Sequence, residues 1–191
     1  MPILNYNVGW MSFNCFLALL PVLFGYVAYR TKNTYLKVIF GVLWFLFLPN
    51  TIYIFTDLVH LIPQWHYIGE SYRSLLVLQY FVFESIGIIT FLLAFYPFER
   101  IIRVIKLFKN NKILSLVIFN FIIAFGMVLG RVERINSWQV FTNPPAVTHS
   151  ALHVILTPSL LGLTILFGFL CNFIYFLFRS WTVEFVKRVL D

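Results

Sequence analysis

Asn50, Tyr53, Asp57 and His60 succeed one another at intervals of three, four and three residues. On an α-helix that spacing places them on one stripe. An aspartate three residues before a histidine can accept its ring N–H, fix the imidazole and raise its basicity. The pair has the makings of a general base, with Asn50 and Tyr53 as substrate contacts. The plainer alternative is a buried polar pair that holds helices together. Glu84 follows Tyr80 by one helical turn inside a long apolar run. A carboxyl group there is a proton relay, a metal ligand, an arginine partner or a structural hydrogen bond. Asp57, His60 and Glu84 are the candidate catalytic residues.

Arg131, Arg134 and Trp138 are spaced by three and four, so they are expected to continue one helical face. Two neighbouring guanidinium groups can clamp a phosphate or carboxylate; alternatively they snorkel and neutralise Asp57 or Glu133. Arg131, Arg134, Asn136 and Trp138 join Asn50 and Tyr53 as candidate anion or substrate contacts. His149 and His153 stand four apart, with Thr157 one turn on. That is metal-ligand spacing, but the glutamate of a zinc-protease arrangement is missing. The two histidines make a metal site only if Asp57, His60 or Glu84 completes it.

These side chains need elements to carry them. Of 191 residues, 61% are hydrophobic and 11% charged. A soluble domain is nearer half apolar and about a quarter charged, so the surplus is expected to face lipid. Five apolar runs are long enough to cross a bilayer as helices, near residues 10–29, 38–61, 74–96, 113–130 and 151–178. The expected fold is all-α, one polytopic membrane bundle of five transmembrane helices spanning residues 1–191. Pro49, within Leu48-Pro49-Asn50, is expected to kink the second helix and free a backbone carbonyl. Pro21 and Pro158 are expected to do the same in the first and fifth.

Eleven of the fourteen lysines and arginines fall in the first and third loops and the tail. Cytoplasmic loops carry such an excess, so the N-terminus is expected outside and the C-terminus inside. The net charge of +7 is then a matter of topology, and no nucleic-acid partner is expected. All four histidines, with Asp57, Glu70, Glu133, Arg131 and Arg134, fall on the outer side. Residues 97–112 and 180–191 mix basic and apolar side chains, which suits interfacial helices or frayed helix ends equally. No basic residue precedes the first apolar run and no small-residue cleavage site follows it, so that run is expected to stay as a span. Cys15 and Cys171 fall near opposite ends of the bundle, too far apart for a disulfide. Nothing in the sequence names a cofactor or a protein partner.

Two segments carry a resemblance. One is Phe47-Leu48-Pro49-Asn50-Thr51-Ile52-Tyr53 running into Thr56-Asp57-Leu58-Val59-His60-Leu61. The other is Leu129-Gly130-Arg131 through Arg134, Asn136-Ser137-Trp138 and Asn143-Pro144. Together they resemble the bacterial membrane-protein family catalogued as domain of unknown function 1361, over about residues 10–178. The resemblance implies a multi-pass protein of the bacterial plasma membrane and leaves the activity open. It picks out Asn50, Tyr53, Asp57, His60, Gly130, Arg131, Arg134, Asn136, Trp138 and Asn143. It also implies an aspartate after the tryptophan, whereas this chain has Gln139. A catalytic carboxylate at 139 is therefore not expected. His149 and His153 lie outside both motifs.

Three functions follow as expectations. The first is an enzyme acting on a lipid or lipid-linked substrate at the outer face. In it Asp57 orients His60 as base, and Arg131 and Arg134 hold a phosphate or developing negative charge. No serine or cysteine sits in a nucleophile motif. The second is proton-coupled movement of a small solute, favoured by the kinked helix and Glu84. It is disfavoured by an inner half that offers only Asn120 and Asn172. The third is an accessory subunit whose polar residues serve packing alone.

Overall fold

The structure, a computed structural model, describes residues 2–104 and 111–190. Helix α1 runs over Pro2–Arg30 and carries Pro21 without ending there. Helix α2 covers Thr34–Phe47 and starts where the Asn33 side chain accepts hydrogen bonds from the Tyr35 and Leu36 N–H groups. It stops before Pro49, which has no N–H to give the preceding turn. Pro49 then opens a short helix α3, Pro49–Tyr53, a first-turn position that proline tolerates. A 3-10 helix over Ile54–His60 and helix α4, Leu61–Tyr67, complete the crossing. The kink expected at Leu48-Pro49-Asn50 is thus a break into four pieces. The Thr51 and Thr56 hydroxyls donate to the carbonyls of Leu48 and Tyr53, three residues back. Those side-chain bonds draw on the carbonyls that a regular α-helix would use.

A short 3-10 turn, Glu70–Tyr72, leads into helix α5, Arg73–Val104. It passes Pro97 unbroken, so residues 97–104 extend the third crossing rather than forming a separate interfacial helix. The rest of the 97–112 stretch, residues 105–110, lies outside the described residues. Helix α6 spans Lys112–Arg131, close to the expected fourth crossing. Two short helices follow, α7 over Gln139–Thr142 and α8 over Pro144–Leu156. Helix α9 then runs from Pro158 to Leu190.

The fifth crossing therefore begins at Pro158 and not near 151. A proline disfavours α backbone in the residue before it; Thr157 is extended, at φ −97° and ψ 108°. His149 and His153 consequently ride on α8, outside the crossing. Residues 180–190 continue α9.

Among the described residues, five helical stretches are long and apolar enough to cross a membrane: Ile3–Arg30, Thr34–Tyr67, Glu70–Arg100, Lys112–Arg131 and Pro158–Phe185. The chain is an all-α, multi-pass membrane protein. Its many exposed Leu, Ile, Val and Phe side chains form the surface that lipid covers. Lipid gives no hydrophobic drive between helices, so close packing holds them. Small residues permit it: Gly126 of α6 lies directly under the Pro49 ring, and Gly168 of α9 under Phe121. An aromatic cluster of Trp44, Phe95, Phe98, Phe119 and Tyr175 fills the centre, with Phe98 and Phe119 stacked at 3.7 Å. The Trp44 indole N–H donates to the Ala94 carbonyl at 2.8 Å.

Among the described residues, each end of the bundle carries one buried carboxylate bound to an arginine. At the end where α5 finishes and α6 starts, Glu99 accepts from Arg179 Nη2 at 2.6 Å and from the Tyr175 hydroxyl at 2.8 Å. Lys112 Nζ stands 3.2 Å from the same group. At the end where α1 starts, Asp57 meets Arg131.

Candidate functional site

In a 3-10 helix, side chains three apart eclipse one another. Asp57 and His60 therefore stand together on the Ile54–His60 segment, one turn above Tyr53. Asp57 is 3% exposed. Its Oδ1 accepts from Arg131 Nη1 at 2.7 Å, and its Oδ2 from Asn14 Nδ2 of α1 at 2.9 Å. Arg131 is the last residue of α6. Its Nη2 reaches the Thr56 carbonyl at 3.4 Å and His60 Nε2 at 3.3 Å. The guanidinium lies 5.7 Å from the centre of the Tyr53 ring, within cation–π range. The first, second and fourth crossings thus meet at one ion pair.

The expected hydrogen bond from His60 to Asp57 is not formed. The two side chains stand 3.8 Å apart, beyond hydrogen-bond length. Arg131 binds the carboxylate instead and faces the ring nitrogen, which accepts only when it bears no proton. His60 also makes an edge contact with the Trp10 ring, at 5.9 Å.

After Arg131 the chain turns sharply. Arg134 adopts φ +56°, the left-handed region that favours glycine. The turn lets Ile135 N–H donate to the Leu129 carbonyl. Arg131, Arg134 and Trp138 therefore do not share a helical face, as their spacing implied: the helix ends at the first of them. Trp138 precedes α7 and is exposed. Gln139 accepts from the Asn136 N–H, so this side chain closes the loop rather than doing a carboxylate's chemistry. Asn50 Nδ2 donates to Ser137 Oγ at 3.2 Å, which ties α3 to the same loop. Arg134 is exposed and makes no hydrogen bond or ion pair among the described residues.

Two cavities adjoin this arrangement. One, of about 540 Å³, is lined by Tyr53, His60, Gly130, Arg131, Arg134 and Asn136. The other, of about 350 Å³, is mainly apolar and runs from Asn50, Ser137 and Asn136 past Leu129 and Phe125 to Phe45 and Ile122. Tyr53, Gly130 and Asn136 line both. Five of the expected contacts, Asn50, Tyr53, Arg131, Arg134 and Asn136, thus line the pair of cavities, and His60 joins them. Trp138 lines neither. Asp57 holds Arg131 from behind.

Glu84 stands apart. It is buried on α5, and neither carboxyl oxygen has a hydrogen-bond partner among the described residues; nor has the Tyr80 hydroxyl one turn away. Tyr80 contacts Trp10, whose ring also touches His60. His149 and His153 are exposed on α8, where His153 Nδ1 meets Glu133 Oε1 at 2.9 Å. That hydrogen bond holds the Glu133 carboxyl below the usual glutamate range. No group of three His, Cys, Asp or Glu side chains with metal-binding geometry occurs among the described residues.

Asn14 and Ser137 are the participants that sequence reasoning passed over. Asn7 and Asn14 lie two turns apart in an apolar helix with Trp10 between them, and that periodicity was a usable signal. Asn7 bonds Gln64 and Gln79, and Trp10 Nε1 donates to Asn7. The face of α1 that presents Asn14 is thereby fixed.

A family model described as Protein of unknown function (DUF1361) matches residues 13–174, most of the chain, and the protein belongs to that family. No curated protein and no solved structure matches it.

Proposed function

We propose that this DUF1361 member is an enzyme that modifies a lipid or lipid-linked substrate at the membrane face where α1 begins. The distribution of Lys and Arg supports an outer position for that face. One observation carries the reading: a cavity lined by two arginines and a histidine shares three lining residues with an apolar cavity that continues along the bundle. Such a pair fits a molecule with an anionic group at one end and a hydrocarbon part at the other. Asp57, itself held by Asn14, keeps Arg131 in place. Arg131 and Arg134 face the anion and any charge that develops on it. His60, with half of its side chain exposed at the cavity, is the group placed to move a proton there.

The test compares membrane lipids and lipoprotein N-termini by mass spectrometry. It uses cells lacking the gene and cells restored with wild type, His60→Ala or Arg134→Gln at equal protein level. The expected result is a lipid or lipid-linked species that changes on gene loss and returns only with wild type. Identical profiles throughout would overturn the reading.

A second reading, proton-coupled movement of a small solute, has one observation of its own: Glu84, buried with both oxygens unpartnered among the described residues. It requires solute uptake or efflux that Glu84→Gln abolishes while the lipid profile stays that of wild type.

A further inference from the structure

The geometry points to the class of substrate: a bilayer phospholipid whose head group has a net charge of minus one, carried on a phosphodiester, its phosphate against Arg134 and Arg131 and one chain in the groove beside α6. This rests on the reading of the paired cavities above and narrows it.

Charge is the first argument. The polar cavity is lined by two guanidinium groups, and one of them, Arg131, is already bonded to the Asp57 carboxylate. One positive charge is left over, on Arg134. A single anionic charge neutralises it, whereas a phosphomonoester dianion leaves one negative charge uncompensated in a site walled by Tyr53 and Gly130. Arg134 also sits in the left-handed backbone region, which an arginine rarely adopts. The turn there is closed by the Ile135 N–H on the Leu129 carbonyl, and Arg134 lines the cavity, where a phosphate can take two of its N–H groups.

The groove is the second argument. It leaves the polar cavity at Asn136 and Tyr53, and Phe125, Leu129 and Val147 wall it. It ends at Phe45 and Ile122, both 43% exposed on the outside of the bundle. Those two residues belong to crossings and face hydrocarbon, so the groove opens sideways into the bilayer. A chain enters it there without leaving apolar surroundings. A free phosphate or a water-soluble phosphate ester makes no use of it.

Purified full-length protein in detergent, titrated with single-chain probes and followed by native mass spectrometry, tests this. The probes are lysophosphatidylglycerol, lysophosphatidic acid, zwitterionic lysophosphatidylcholine and chain-free inorganic phosphate. Lysophosphatidylglycerol is expected to bind about tenfold more tightly than each of the others. Arg134→Gln is expected to bring it level with lysophosphatidylcholine, with the melting temperature unchanged. Val147→Phe, which fills the groove, is expected to weaken every chain-bearing probe. Equal binding of the zwitterion, tighter binding of the phosphomonoester, or inorganic phosphate binding as tight as the lipid would each overturn the assignment. Binding is read without turnover. Selective binding with unchanged cellular lipids would remove the enzyme reading and leave the phospholipid as a bound ligand of this site; altered lipids with unselective binding would keep the enzyme reading and overturn the assignment.

Discussion

The two ends of the bundle hold the same pair of groups and use them differently. Asp57 and Glu99 are both almost wholly buried, and each meets an arginine at hydrogen-bond distance. Around Glu99 the charges close on themselves. Arg179 approaches both carboxylate oxygens, Lys112 adds a second cation, and Tyr175 donates its hydroxyl. Around Asp57 the carboxylate is satisfied but the cations are not spent. Arg131 turns one side toward His60 and a cavity, and Arg134 stands at the same cavity without a partner among the described residues. A buried ion pair is therefore poor evidence of a site. Donors left over beside an open volume are better evidence.

That contrast is open to attack by mutation. The largest effect is expected at the closed end. Glu99→Ala leaves Arg179 and Lys112 without their shared counter-charge and should lower stability by about 3–5 kcal/mol. Thermal unfolding in detergent reads this, and a negligible shift would mean that the cluster is not structural. Asp57→Ala should cost less, roughly 1–3 kcal/mol, because it strands one cation, which keeps the Thr56 carbonyl, rather than two cations and a tyrosine hydroxyl. If it destabilises as much as Glu99→Ala, the two ends are alike and the contrast fails. Arg134→Ala should alter stability by no more than about 0.5 kcal/mol while removing binding of anionic lipid. A large stability loss there would make Arg134 a structural residue.

The smallest effect is expected beside the site. The lowered carboxyl of Glu133 contributes stability that is present above the ordinary glutamate range and is lost as pH falls through the lowered value. Protease cleavage around α8 should therefore rise on acidification through that range. Glu133→Gln should flatten the profile, and an unchanged profile would show that the pair with His153 does not hold α8. The pair is too exposed for the change to reach global unfolding.

Much of this was legible in the residues. Hydrophobic runs gave five crossings because a bilayer demands uninterrupted apolar helices. The intervals among Asn50, Tyr53, Asp57 and His60 marked one side of the second crossing, and the 3-10 turn keeps Asp57 beside His60. What stayed hidden is tertiary. Neutralisation of Asp57 by an arginine stood among the alternatives, but nothing local to Asp57 says that Arg131, 74 residues on, outcompetes His60 for it. The spacing of Arg131, Arg134 and Trp138 misled because helix periodicity holds only as far as the helix does, and α6 ends at Arg131. Glu99 sat unremarked in a basic stretch, although a lone acid among cations, with Tyr175 and Arg179 one turn apart elsewhere, was a pattern to weigh. The break at Thr157 was signalled by Pro158 as a kink; its effect was to take α8 and both its histidines out of the membrane crossing altogether.

The contact of Pro49 with Gly126 carries a consequence for descent. Two helices distant in sequence approach so closely there that no side chain fits at 126 while the ring stands at 49. The glycine cannot be enlarged while the proline remains. Across related chains, proline at the first should travel with glycine at the second, and a lineage that enlarges the glycine must first have given up the proline. Where both have changed together, the approach of these helices, and with it the volume next to Tyr53 and Asn136, will have been reset. That pair of letters is thus a marker, readable from sequence alone, of which relatives retain the groove.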